Sequence, residues 1–313
     1  MGNINNMPAE VDQNALNHKV KKTYLYFLLP SLITIIVIMI IPFFYSIFIT
    51  FNNVNLLENG GKFSFNGWDN YIGFFRDERA LHSIVTTLKF VVGAVLVETI
   101  LGLAISLFLD RRFRGKMFVR GLLIIPMFMT PVVSGLIWRT FYDPTAGIIN
   151  YVMGILGLGQ AHDWLGNVVT ALPCLILTDV WQWTPFMVLL YSASLDAIPI
   201  EIYEATFLES ASELLIIRYI KLPLLVPTIF IAVILRMIDV IKAFDIIYVM
   251  TKGGPGLATE TINMYSYIVG FNFFKISNAT TMLFIFTIFI TIMLSFIITK
   301  LKNKANTLNK TAV

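Results

Sequence analysis

Charge is scarce in this 313-residue chain: Asp, Glu, Lys and Arg make up 13% of it, against roughly 25% in soluble domains. With 57% hydrophobic residues, 26 Phe and 13 Met, and a mean hydropathy of +0.77, too few polar side chains remain to cover a surface in water. A soluble domain is excluded, and lipid must do the covering. Cysteine and histidine are nearly absent. The single cysteine, Cys174, rules out an internal disulfide and reads as a buried thiol. His18, His82 and His162 stand alone, so no metal site is expected. Neither a nucleophile–base pairing nor a His-Glu-x-x-His spacing occurs, which argues against an intramembrane enzyme. Gly253-Gly254-Pro255-Gly256 is rich in glycine, yet no Gly-Lys-Ser/Thr follows it there or anywhere else, so no nucleotide or other cofactor is expected in this chain. A formal net charge of +4 is too small to argue for nucleic acid.

Long apolar runs are what the chain does have. A bilayer core of about 30 Å needs about 20 such residues in a helix, and six segments meet that length: 25–51, 84–109, 118–141, 168–193, 223–249 and 278–299. The first is too long for the apolar core of a signal peptide and reads as a retained helix. Pro30, Pro42, Pro126, Pro131, Pro173 and Pro185 fall within these spans and predict kinks, because neighbouring helices can satisfy the carbonyls that proline frees. No stretch alternates with period two, which excludes a barrel. The expected fold is an all-α integral membrane protein, a six-helix transmembrane bundle, with short segments 1–22 and 301–313 flanking a membrane domain over 23–300. No connection is long enough for a further domain, since independent folding is doubtful below about 40 residues.

Orientation follows from Lys and Arg in the short loops. The first, third, fifth and seventh exposed segments carry Lys19, Lys21, Lys22, Arg111, Arg112, Arg114, Lys116, Arg120, Arg218, Lys221, Lys300, Lys302, Lys304 and Lys310; the other three carry Lys62, Arg76, Arg79, Arg139, Lys252 and Lys275. Both termini are therefore expected in the cytoplasm.

The cytoplasmic connection between the fourth and fifth spans is unusually structured. Pro199 suits a helix start, Glu201 and Glu204 lie where the helix dipole favours acids, and Ile200, Tyr203, Phe207 and Leu208 share one face. Ser210-Ala211-Ser212-Glu213 fits a capping box that would open a second helix running to Leu222. Physically, this is either an amphipathic surface helix resting at the headgroups or a knob that docks into a partner's groove.

The stretch Glu204-Ala205-Thr206-Phe207-Leu208-Glu209-Ser210-Ala211, followed by Ile220-Lys221-Leu222-Pro223, resembles the Glu-Ala-Ala…Asp-Gly-Ala…Ile-x-Leu-Pro signature of bacterial ABC importer permeases, with matching spacing. It departs from that signature at Thr206, Glu209, Ser210 and Ile217; serine resists the positive φ that glycine adopts at Ser210's place. Phe65-Asn66-Gly67-Trp68-Asp69-Asn70-Tyr71, Arg120 with Pro126, Trp138 with Gly147-Ile148-Ile149-Asn150, and Lys242-Ala243-Phe244-Asp245 before Met250-Thr251-Lys252-Gly253-Gly254-Pro255 resemble the carbohydrate-type branch, so that the likeness covers about 24–300.

The resemblance implies a type I importer permease fold in a bacterial inner membrane, with the loop 194–222 acting as a coupling helix. Glu204, Ala205, Glu209, Ser210, Ala211, Ile220, Leu222 and Pro223 would face a cytoplasmic ATPase dimer that supplies the hydrolysis this chain lacks. A second permease subunit, similar or identical, would complete the pathway, and an extracytoplasmic binding protein would deliver a sugar or related polar solute.

Four charges lie where lipid should be: Glu98, Asp179, Arg236 and Asp239. Each costs about 2.5–3.5 kcal/mol at mid-bilayer on insertion scales, so each needs a partner, a wet cavity or a role. Arg236, Asp239, Lys242 and Asp245 alternate in sign at i, i+3 steps, which fits either a self-neutralising ladder or a polar path. Trp181, Gln182 and Trp183 flank Asp179, and aromatic faces beside hydrogen-bonding groups suit a sugar. The competing function is a proton-coupled secondary transporter in which Glu98, Asp179 and Asp239 relay protons, without an ATPase. Such carriers often show two related halves, and none is legible here.

Overall fold

In a bilayer the backbone must satisfy its own polar groups, so each apolar run becomes a helix. The computed structural model describes residues 24, 26–58, 60–111, 113–157, 162–203 and 212–311. The loop residues Glu204, Ala205, Glu209, Ser210 and Ala211 lie outside these. In chain order the helices are α1 (Tyr26–Thr50), α2 (Asp69–Arg76), α3 (Glu78–Asp110), α4 (Lys116–Phe128) and α5 (Pro131–Phe141), α6 (Ile148–Ile155), α7 (Ala171–Asp196), α8 (Glu213–Val240), α9 (Asp245–Met250), α10 (Ile262–Tyr267) and α11 (Ile276–Thr311). Within them, serine and threonine hydroxyls donate one turn back: Thr87 to Ser83 O at 2.7 Å, Thr178 to Cys174 O at 2.9 Å and Thr281 to Ser277 O at 2.7 Å. These hydroxyls are thereby paired within their own helix.

Among the described residues five helices are long and apolar enough to cross a membrane: α1, α3, α7, α8 and α11 through Lys300. The expected sixth, 118–141, is not a continuous helix. It is the pair α4–α5, bent by 99°, and counts as one crossing only as a broken span. The cause is Pro131. Its ring disfavours helical backbone at the preceding residue, and both Met129 (ψ 145°) and Thr130 (ψ 146°) are extended. Thr130 then caps α5, its Oγ1 accepting from Val133 N. The expected fifth span, 223–249, also differs: α8 ends at Val240 and α9 starts anew at Asp245. Two π turns, Ile36–Ile40 and Ile217–Lys221, each come just ahead of a proline, Pro42 and Pro223; the wider turn relieves the clash of the ring with the preceding carbonyls.

The core is the crossing of α3 on α7, the most extensive helix contact among the described residues. Phe90, Leu175, Met187 and Tyr191 are fully buried there. Gly102 makes the close approach possible, since a Cβ on it would stand 2.6 Å from Met187 Cβ; small residues play this part widely in membrane bundles. Cys174 is buried, as expected. By contrast, α1 is exposed along nearly its whole length, with only Ile49 and Thr50 buried at its end. Just past the end of α1 a two-stranded hairpin pairs Asn52–Asn53 with Ser64–Phe65. Asn70 pins it to the end of α1, donating to Thr50 O (2.8 Å) and Asn52 O (2.9 Å).

Candidate functional site

Three helices bring four distant charges to one point. Glu98 of α3, Asp179 of α7 and Arg236 of α8 are each at most 5% exposed. Arg236 Nε donates to Glu98 Oε2 at 2.8 Å and its Nη2 to Glu98 Oε1 at 3.0 Å; Nη2 also donates to Asp179 Oδ2 at 2.5 Å, and Nη1 to Asp239 Oδ2 at 2.8 Å. Trp183, one turn beyond Asp179, lays its ring 4.8 Å from the guanidinium carbon, a cation–π contact. A guanidinium suits this position because its planar fork can serve several carboxylates at once.

The ladder expected along α8 forms only its first rung, Arg236–Asp239. Beyond Val240 the helix stops, so Lys242 lies in a turn and Asp245 opens α9. Helical spacing no longer applies to them. They surround a cavity of about 150 Å³ together with Pro131, Asp179, Trp183, Arg236 and Asp239. Six of the nine sequence-derived path candidates thus share one cavity, and Glu98 stands behind Arg236. Asp239 turns half of its side chain to the opening, 55% exposed, so the cavity presents carboxylate acceptors and one ammonium. A larger groove of about 930 Å³ lies beside it, walled by α1, α10 and α11, with Lys242 and Phe244 common to both.

Trp181 and Gln182 are not in the charged cavity. Trp181 packs edge-on against Trp138 (5.7 Å between ring centroids) in an apolar pocket with Leu177, Val180 and Thr184. Gln182 Nε2 donates to Met129 O at 2.9 Å. It holds the carbonyl released where the third span breaks, a role that a linear reading of the sequence could not assign.

At the start of α8, the expected capping box is replaced. The N-cap of α8 is Ser212, with no side-chain cap, and Glu213 is the first helical residue rather than the third. Its carboxylate pairs with Arg111 Nε at 2.7 Å. Ile220 and Leu222 are half-buried and Pro223 is exposed. Sequence reading passed over two further groups. Lys221 Nζ and Asp110 Oδ2 form a nearly buried ion pair at 2.5 Å. At the head of α3, Arg79 grips Glu260 with two hydrogen bonds of 2.8 and 2.6 Å, and the Tyr265 hydroxyl donates to Asp77 Oδ2 at 2.7 Å. Burial, then the hydrogen bond to Asp77, pushes the Tyr265 hydroxyl pKa up. Glu260, the lone acid between 250 and 277, was the one available signal.

The family model described as "Binding-protein-dependent transport system inner membrane component" matches residues 98–304. The chain is 34% identical over 268 residues to a probable ABC transporter permease protein, y4oQ, of Sinorhizobium fredii, covering 86% of each. It is 34% identical over 264 residues to the trehalose/maltose transport system permease protein MalF of Thermococcus litoralis, covering 84% of this chain and 87% of that one. To the sulfoquinovosyl glycerol transport system permease protein SmoG of Agrobacterium fabrum it is 32% identical, with 76% and 77% covered. Its fold matches that of a chain in the crystal structure of a bacterial ABC transporter involved in the import of the acidic polysaccharide alginate, with a TM-score of 0.78 at 20% identity and 90% and 96% covered. This kinship leaves the proton-relay alternative without support: the chain belongs to the inner-membrane components of binding-protein-dependent transport systems, the ABC permeases.

Proposed function

We propose that this chain is the permease subunit through which an ATP-driven importer carries a sugar or closely related polyhydroxylated solute. What carries the reading is that a member of this family gathers Asp179, Trp183, Arg236, Asp239, Lys242 and Asp245 around one cavity. Acceptors and an aromatic face there suit hydroxyls and the C–H faces of a sugar ring. The relative from Thermococcus litoralis, a trehalose/maltose permease by name, supports the same substrate class.

In this reading both termini are cytoplasmic, which the bias of Lys and Arg supports. A binding protein delivers the solute to the external loops, and a second permease subunit completes the path. ATP hydrolysis takes place in a separate ATPase dimer gripping Glu204, Ala205, Glu209, Ser210, Ala211, Ile220, Leu222 and Pro223. Coupling requires that the two states of the complex differ in those contacts.

The test is co-purification of the ATPase with the chain and with Glu204→Lys, joined to uptake of labelled trehalose, maltose and a panel of other sugars by the reconstituted complex. ATPase capture lost on charge reversal, together with ATP-dependent uptake, is expected. Uptake driven by a proton gradient, with no ATPase bound to the unaltered chain, would overturn the reading.

A further inference from the structure

Two neighbouring residues at the end of α3 hold the start of α8 with opposite charges. Asp110 binds Lys221, and Arg111 binds Glu213. The two contacts differ in kind. Arg111 and Glu213 are 57% and 49% exposed, so water and salt screen them and they hold little. Lys221 and Asp110 are 8% and 14% exposed; separating them would strand a charge away from water. The ring of Tyr203 lies 5.4 Å from Lys221 Nζ. Tyr203 precedes the loop 204–211 and Lys221 follows it, so the chain entering the loop and the chain leaving it meet at one ion pair.

The pair also has a continuation. From Asp110, α3 runs back to Glu78 as one helix without a proline, and twelve residues along it, about 18 Å at 1.5 Å per residue, stands Glu98. Glu98 holds Arg236, which holds the wall of the charged cavity. On α8 itself the stretch from Lys221 to Arg236 carries Pro223 and Pro227, and the π turn Ile217–Lys221 lies directly on its loop side. The straight member between loop and cavity is therefore α3, tied to α8 at two heights.

We propose that the Asp110–Lys221 ion pair is the joint by which movement of the loop between α7 and α8 enters α3 and reaches the charged cavity, making both positioning residues of the transport cycle. This rests on the reading of the chain as an ATP-driven permease. A displacement of the loop then tilts α3 and α8 together, carrying Glu98, Arg236 and Asp239 with them, where an unpaired Lys221 would let α8 flex at its own π turn.

The test uses the whole complex in proteoliposomes. Cys174, the only cysteine, is replaced by Ala, and Asp245→Cys reports on the cavity through its reaction with a charged, membrane-impermeant thiol reagent, before and after trapping with ATP and vanadate. In this parent complex, trapping is expected to change the labelling rate by roughly five-fold or more, the range of ordinary coupling. Lys221→Met is expected to keep the ATPase bound and its basal hydrolysis intact while the labelling change disappears. Lys221→Arg, and the exchange of Asp110→Lys with Lys221→Asp, are expected to restore it.

A labelling change that survives in Lys221→Met overturns the inference, as does a parent complex that hydrolyses ATP without any such change. So does a loss in Lys221→Met that follows ATPase detachment and a lowered unfolding temperature, because a scaffolding role explains that result. Absence of any ATPase from the parent complex overturns the permease reading itself, and is seen before any Lys221 variant is compared.

Discussion

Arg236 and Glu98, 138 positions apart, meet in a two-pronged ion pair of 2.8 and 3.0 Å with neither side chain more than 2% exposed. The same guanidinium also receives Asp179 and Asp239, so one cation anchors three carboxylates from three helices. Removing the cation leaves those carboxylates facing one another. Arg236→Gln is expected to destabilise the protein by about 3–5 kcal/mol, the cost of breaking a buried pair from one side. Thermal unfolding in detergent measures it. Arg236→Lys is expected to recover only part of the loss, because an ammonium lacks the fork that serves several carboxylates.

Gln182 gives a subtler test. Its Nε2 covers the Met129 carbonyl at the break in the third span. Gln182→Leu keeps much of the volume but leaves that carbonyl without its donor, a loss of about 1–3 kcal/mol. A fall in unfolding temperature is expected, and hydrogen exchange around 129–134 should rise more than at α11. An unchanged unfolding temperature would mean that water replaces the amide.

Steric fit at the core crossing is tested by two glycines of the same kind of helix. A methyl group on Gly102 would stand 2.6 Å from Met187 Cβ and 3.2 Å from the Tyr191 ring, whereas one on Gly121 meets nothing within 4 Å. Gly102→Ala is expected to cost about 1–3 kcal/mol through overpacking. Gly121→Ala is expected to be neutral or to gain up to about 1 kcal/mol from helix propensity. Comparable unfolding temperatures for the two variants would contradict the α3–α7 packing.

The clasp at the head of α3 predicts a local effect. Glu260, 3% exposed, holds Arg79 at the head of α3, while Asp77 caps that helix through Arg79 N and Ala80 N and takes the Tyr265 hydroxyl. Glu260→Gln is expected to loosen 251–262 from α3, measured as faster hydrogen exchange there, with Glu260→Asp intermediate because its carboxylate is shorter. Exchange unchanged in both variants would show that the ion pair contributes nothing to holding the loop.

The membrane class and five of the six spans were legible in the sequence, because lipid imposes a single requirement, an uncharged run of sufficient length, that a linear reading can count. Glu98, Asp179 and Arg236 stood out for the same reason: a charge in such a run is conspicuous. What could not be counted was their meeting. Glu98 and Asp179 have no opposite charge in their own helices, and the apparent ladder from Arg236 to Asp245 assumed a helix that ends at Val240.

Composition and spacing therefore settled the solvent, the number of apolar runs and which charges needed an explanation, while the family likeness of the loop came from its resemblance to a known signature. Tertiary structure decided that Arg236 is shared by α3, α7 and α8, that Gln182 serves a broken helix, and that Lys221 is joined to Asp110 rather than left to solvent. The reason is physical. Transfer into lipid depends on each residue's own chemistry and adds up along the chain, whereas an ion pair or a backbone hydrogen bond across helices depends on where the bends fall, and those bends are set by Pro131, the turn after Val240 and the packing of α3 on α7.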